Sequence, residues 1–183
     1  LIKDKENRYG GNMRIAEKRD IEELSKLRVL QQKEDWKEDY PEGEDKRLYE
    51  VTKKFLIRHL NEDIIFFVEE QENHIIATCG LQIINYMPQC DISGKEGYIC
   101  NVFTLREYRK KGIQTKLIGE CIKFAKEQNL EILKLSSDNP EAISIYKKYG
   151  FEQIGIRKNY YSEPVENGLV FLLEIIPSIT TVH

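Results

Sequence analysis

The residues best suited to chemistry form one run, Arg106, Arg109, Lys110 and Lys111, set directly before Gly112. A strand-like segment, Gly97–Thr104, precedes the run, and an amphipathic helical segment, Ile113–Glu127, follows it. A helix start leaves several backbone N–H groups without partners and carries about half a positive charge. A turn that aims those groups at one point makes an anion site. Gly112 lets an anion approach the backbone without a Cβ in the way, and the basic side chains can add charge-assisted bonds. The ligand this pattern suits is a phosphate or pyrophosphate. The pattern is neither GxxxxGK[ST] nor GxGxxG, since one glycine stands alone. Without further context it is equally the basic start of a solvated helix.

A second constellation is Asn139-Pro140-Glu141-Ala142-Ile143-Ser144-Ile145-Tyr146, followed by Tyr149-Gly150-Phe151. Asn at the cap, Pro at the first helical position and Gly at the stop define a short helix. On these grounds alone Tyr146 is an aromatic of the buried face. The four cysteines, Cys79, Cys90, Cys100 and Cys121, form no CxxC pair, and three histidines are scattered. No metal site is expected. Cys79 and Cys121 lie in apolar stretches and suit reduced core positions in a cytoplasmic protein. Cys100 has no histidine beside it in sequence, so no activated nucleophile is evident.

These residues need a scaffold. Strands are expected at Met13–Glu17, Ile64–Glu70, Ile75–Ile84, Gly97–Thr104, Ile132–Leu135, Phe151–Ile156 and Leu169–Ile175. The first helix has Ile21, Leu24, Leu27 and Leu30 at a helical period, with Asp20 and Glu23 as a variant capping box. The second is expected from about Lys46 to Leu60, burying Leu48, Val51, Phe55 and Leu56. Between them, residues 33–46 hold seven acidic and three basic residues with Pro41 and Gly43, a loop or helix junction. The third and fourth helices are Ile113–Glu127 and Asn139–Tyr149. The fold class is α/β: one mixed, mostly antiparallel sheet of about seven strands with about four helices on its two faces.

The 183 residues suit one domain, spanning 13–183, with polar residues 1–12 set aside as a flexible leader or tag remnant. A composition 40% hydrophobic can fill a core. The longest apolar runs, Ile64–Val68 and Leu169–Leu173, are too short to span a bilayer, so no membrane partner is expected. A net charge of −3 argues against nucleic acid.

The order of elements and the two motifs together resemble the GNAT superfamily of N-acetyltransferases. Its signature Arg/Gln-x-x-Gly-x-Gly/Ala is matched by Arg109-Lys110-Lys111-Gly112-Ile113-Gln114, and its Asn-x-x-Ala-x-x-x-Tyr helix ending in Gly-Phe by 139–151. The resemblance covers residues 13–175. It implies acetyl-CoA as co-substrate, its pyrophosphate on N–H groups from Arg109 to Thr115 and its pantetheine arm along Val102, Phe103 and Thr104. It implies Tyr146 as the acid that protonates the departing thiolate and Asn139 as a coenzyme contact in addition to its cap. The 33–46 segment would help form the acceptor pocket, where Glu34, Asp35, Glu38 and Asp39 would attract a cationic amine and Trp36 and Tyr40 would stack on it.

Two points depart from the family pattern. Gln114 replaces the usual Gly or Ala; it could crowd the pyrophosphate, point away, or donate an extra hydrogen bond. Gly97–Thr104 contains no carboxylate to act as general base, and Glu96 lies just before it. The resemblance implies transfer of an acetyl group to a primary amine, on a small molecule or a peptide, by direct attack in a ternary complex. The alternatives are a non-catalytic acyl-CoA-binding regulator and a protein N-terminal acetyltransferase. The segment Leu169–His183 offers a surface for a homodimer.

Overall fold

The computed structural model describes residues 11–36, 40–88, 93–162 and 165–175. The chain runs β1 (Asn12–Ile15), α1 (Ile21–Trp36), α2 (Glu44–His59), β2 (Ile64–Gln71), β3 (His74–Asn85), β4 (Lys95–Thr104), α3 (Ile113–Glu127), β5 (Ile132–Ser137), α4 (Pro140–Lys148), β6 (Glu152–Ser162) and β7 (Val165–Glu174). Single 3-10 turns, Lys18–Asp20 and Arg106–Tyr108, precede α1 and α3. The strands form one sheet in the order β1-β2-β3-β4-β5-β7-β6. Every neighbouring pair is antiparallel except β4 and β5. Seven strands and four helices in this arrangement are what the sequence pattern implies.

Alternation along β2 divides the core. Ile64, Phe66 and Val68 pack with Leu24, Leu27 and Leu56 of α1 and α2, while Ile65 and Phe67 face the cluster built on α3. A strand covered on both faces reads as a continuous apolar run. On α3 the stripe Ile113, Leu117, Ile118, Cys121, Ile122 and Ala125 is buried as its period predicts. Truncating the fully buried Leu117 to Ala costs roughly 2–5 kcal/mol.

Four expectations fail locally. Helix α1 runs on to Trp36 instead of yielding to a loop at 33, because charge alone does not stop a helix and the breakers Pro41 and Gly43 come later. Leu30 is 45% exposed; at about 100° per residue, nine residues put it half a turn from Ile21. Asp20 does not cap through Glu23. It exchanges bonds with Glu17 across the 3-10 turn and takes a two-pronged contact from Arg14, at 2.6 and 2.9 Å. Glu23 instead accepts the Ile75 N–H at 3.0 Å. Finally, β1 begins at Asn12, paired with Glu70, inside the stretch set aside as leader.

Strand β7 lies between β5 and β6, so both of its edges are in use, and residues 176–183 of the segment assigned to a homodimer are outside the described residues. No helix among the described residues is long and apolar enough to cross a membrane.

Candidate active site

Parallel strands β4 and β5 pair over three positions only: Glu96 with Ile132, Gly97 with Leu133 and Tyr98 with Lys134. There the contact is tight. A Cβ on Gly97 would stand 2.5 Å from Leu133 Cδ2 and 2.8 Å from Leu81 Cδ1. Beyond Tyr98 the ladder ends, yet β4 continues to Thr104 and β5 to Ser137. The strands therefore part like a V, and one side of β4 can take an added extended chain. Within this stretch β4 carries a bulge. Thr78 faces Phe103 and Gly80 faces Cys100, so two residues, Asn101 and Val102, oppose Cys79. Asn101 has φ +48°, and its carbonyl accepts the Thr78 hydroxyl at 2.8 Å.

The open side of β4 leads to the basic turn. Lys110 and Gly112 both have positive φ, 61° and 77°, which folds the backbone sharply ahead of α3. Gly112 is the N-cap and supplies no side-chain bond, and no acidic residue stands in the first turn. A Cβ there would meet nothing within 4 Å, so the space in front of the helix is open. Uncapped amides, open space and neighbouring cations fit an anion. The Arg109 Nε holds the Thr104 carbonyl at 2.8 Å, which ties the turn to β4.

Gln114 turns away from that space. Its Nε2 donates to the carbonyls of Thr78 and Phe103, at 3.0 and 2.7 Å, and to the Thr104 hydroxyl at 2.9 Å. The departure from the family pattern thus binds the first turn of α3 to β3 and β4. Tyr149 makes a second tie, its hydroxyl donating to the Thr115 carbonyl at 2.6 Å.

Across the groove, α4 is closed at both ends. The Asn139 side chain accepts the N–H groups of Glu141 and Ala142, at 2.9 and 3.3 Å. At the far end Phe151 N–H bonds the Tyr146 carbonyl and Gly150 N–H the Lys147 carbonyl, with Gly150 at φ +89°. That pair of bonds is a Schellman stop. It brings the Phe151 ring edge-on to Tyr146, with centroids 6.0 Å apart, and Phe171 of β7 backs the same ring at 6.4 Å. Tyr146 is buried yet still lines the groove.

One cavity of about 440 Å³ gathers these parts. Val102, Phe103, Thr104, Arg109, Lys110, Gly112, Ile113, Gln114, Thr115, Asn139 and Tyr146 all line it. Lys111 does not; its ammonium lies 5.0 Å from the centre of the Tyr108 ring. Neither Trp36 nor Tyr40 lines it either. The Tyr40 ring lies under the Lys33 ammonium at 5.5 Å, and Lys33 bonds Asp45 at 2.7 Å, so the expected stacking face is covered. Glu38 and Asp39 are outside the described residues.

Sequence reasoning named Glu34 and Asp35 for the acceptor pocket but missed Gln31 and the pairing of Glu34 with the basic turn. Gln31, Glu34 and Asp35 form a wall of the groove. Glu34 holds Arg109 Nη2 at 2.5 Å and Arg106 Nε at 3.1 Å. The Asp35 carboxyl sits above the usual carboxylate range, chiefly through crowding by the protein, opposed by Arg28 and reinforced by Asp138 and Glu34. The signal was present: 24, 27/28, 31 and 34/35 follow one helical stripe. Glu96, by contrast, bonds Lys134 at 2.6 Å at the closed end of the β4–β5 pair. Burial pushes the Cys100 thiol up to about 12, with nearby Cys79 adding to the effect and Arg28 opposing it. A thiol held protonated is a poor nucleophile.

The model of the acetyltransferase (GNAT) family matches residues 29–151. The chain belongs to that family. As a GNAT protein it is an acetyl-CoA-dependent N-acetyltransferase. The N-alpha-acetyltransferase of Sulfurisphaera tokodaii is 30% identical over 116 residues, 60% of this chain and 70% of the relative. A predicted acetyltransferase from Clostridium acetobutylicum, solved with acetyl-CoA, is 30% identical with a TM-score of 0.66, over 79% of this chain and 91% of that one. The ribosomal-protein-S18-alanine N-acetyltransferase of Escherichia coli shares the fold at 19% identity, with a TM-score of 0.64 over 94% of this chain and 99% of that one.

Proposed function

We propose that this GNAT enzyme moves the acetyl group of acetyl-CoA to a primary amine in a ternary complex, using the groove between β4 and α4. The pyrophosphate sits on the first-turn amides of α3, with Arg109 and Lys110 beside it, and the pantetheine arm pairs with Val102–Thr104. The amine nitrogen attacks the thioester carbonyl carbon, and the oxyanion that forms is stabilised by a backbone N–H of β4. The C–S bond then breaks, and the coenzyme sulfur takes a proton from the Tyr146 hydroxyl. The amine gives up its own proton to solvent, and the Tyr146 phenolate takes one back from solvent, which restores the enzyme. The relatives named for N-alpha acetylation support an α-amino group as acceptor.

One observation carries this reading: the unpaired side of β4 opens directly onto the uncapped amides of α3, with Tyr146 on the facing wall. The test is acetyl-CoA-dependent thiol release across amines, amino acids and peptides. Tyr146→Phe should lower kcat by about 10–100-fold with little change in KM, the loss expected of an acid–base group; an unchanged kcat removes Tyr146 from the mechanism. Acetyl-CoA at a hundred times its Kd should stabilise the fold by about 2.7 kcal/mol, and a melt indifferent to it sinks the groove assignment.

A further inference from the structure

A second cavity, of about 430 Å³, lies between α1, α2 and the sheet. Its wall is mainly Leu24, Leu27, Leu48, Val51, Phe55 and Leu56. Sequence periodicity assigns Val51 and Phe55 to the core, yet they are 47% and 41% exposed. The apolar stripe of α2 is therefore only partly covered by the protein itself, and a ligand that covers the rest gains hydrophobic free energy.

This cavity and the coenzyme groove meet at two places. Gln31 lines both. On β4, Asn101 lines this one and the next residue, Val102, lines the other, so the two spaces flank the bulge. Charge along α1 is graded across that junction. The cavity wall has no carboxylate among the described residues, and its one ionised side chain is Arg28, which donates to Gln31 at 3.2 Å. One turn past Gln31, and about two past Arg28, Glu34 and Asp35 line the coenzyme side.

We infer that this cavity selects the acceptor, and that the acceptor is a free α-amino acid with a large apolar side chain. This rests on the acetyl transfer proposed above and adds its substrate class. The side chain fills the space beneath Val51 and Phe55. The carboxylate meets the Arg28 guanidinium, a planar fork suited to it. The amine then points past Gln31 and Asn101 toward the thioester, on the side where the carboxylates of α1 stand. A polyamine or aminoglycoside would bring several cations to a wall whose only charge is positive. A peptide N-terminus would set a neutral amide against Arg28.

The test compares thiol release with L-leucine, L-phenylalanine, L-leucinamide, a leucine-initiated tripeptide, L-lysine and spermidine. L-leucine or L-phenylalanine should give kcat/KM at least tenfold above L-leucinamide and the tripeptide, and that ratio should fall toward one in Arg28→Gln. Val51→Trp, at a half-exposed position, should raise KM for L-phenylalanine by at least tenfold by filling the cavity. Stabilisation by acetyl-CoA is the folding control for both variants. Preference for the tripeptide, for lysine or for spermidine overturns the inference while leaving acetyl transfer intact. So does a leucine-to-leucinamide ratio that survives in Arg28→Gln. No transfer to any amine, with no stabilisation by acetyl-CoA, overturns the underlying reading instead.

Discussion

Replacing Gln114 by Ala is the sharpest probe of how the groove is built. The side chain spreads two N–H hydrogens over three acceptors: the Thr78 and Phe103 carbonyls and the Thr104 hydroxyl. Its own Oε1 is buried without a partner. Truncation loses about two net hydrogen bonds at roughly 1 kcal/mol each and strands buried acceptors at roughly 1–3 kcal/mol, partly offset by removing the orphaned Oε1. A net loss of about 2 kcal/mol is expected, or roughly 4–8 °C in Tm for a chain of this size. Because the amide faces the sheet, the Kd for acetyl-CoA should move by less than about threefold, under 0.7 kcal/mol. Gln114→Glu adds a pH signature. A carboxylate there faces three oxygens, so its folded pKa lies above the unfolded value of about 4.3. The variant should approach the stability of the parent below that pH. It should then lose about 1.4 kcal/mol per pH unit as pH rises, until the folded pKa is passed. Differential scanning fluorimetry across pH, with calorimetric titration of acetyl-CoA, reads both effects. A Tm of Gln114→Ala within about 1 °C of the parent, or coenzyme binding tightened more than tenfold (about 1.4 kcal/mol), would refute the reasoning.

Other outcomes follow from neighbouring groups. Cys100→Ala should retain most activity, and mass spectrometry after mixing with acetyl-CoA should show no acetylated protein, because the thiol stays protonated at neutral pH; a stable acyl-enzyme would contradict direct attack. Glu34→Gln should tighten coenzyme A binding about two- to fivefold at low salt by freeing Arg106 and Arg109 for phosphate, and the gain should fade as salt rises; weaker binding would mean that Glu34 serves to shape the turn. Asp20→Asn should cost roughly 1–2 kcal/mol, because Arg14 loses a nearly buried partner but keeps Glu70. The same pair holds the Asp20 carboxyl below its usual range, so its contribution is present above about pH 3.9 and drains away as pH falls through the lower folded value. Urea midpoints at pH 7 and pH 3 should therefore differ less in the variant than in the parent.

Much of the groove was legible because its signals are local. The cap at Asn139, the stop at Gly150 and the buried stripe of α3 are each written within one turn or one helix, and each stands where the pattern puts it. The sharp turn at Gly112 ahead of α3 was legible for the same reason. What failed depends on partners distant in sequence. Nothing near Gln114 tells whether it faces a ligand or the Thr78 carbonyl 36 residues away. The Glu34 contacts to Arg106 and Arg109 span more than 70 residues. Val51 and Phe55 carry the periodicity of core residues, and periodicity cannot distinguish a face covered by protein from one that borders a cavity. Trp36 and Tyr40 were chosen by composition, which says nothing of direction.

The pinch at Gly97 has a consequence for chain-length tolerance. The two strands touch there so closely that even a methyl group would collide with Leu133, and they diverge from that point toward Val102, five residues or roughly 17 Å along the strand. The angle of the wedge is thus set at its apex, far from the Val102–Thr104 stretch proposed to carry the pantetheine arm. Bulk added at the apex would splay the whole slot, so under the proposed binding mode the tolerance for longer acyl groups is adjustable from a position that never meets them.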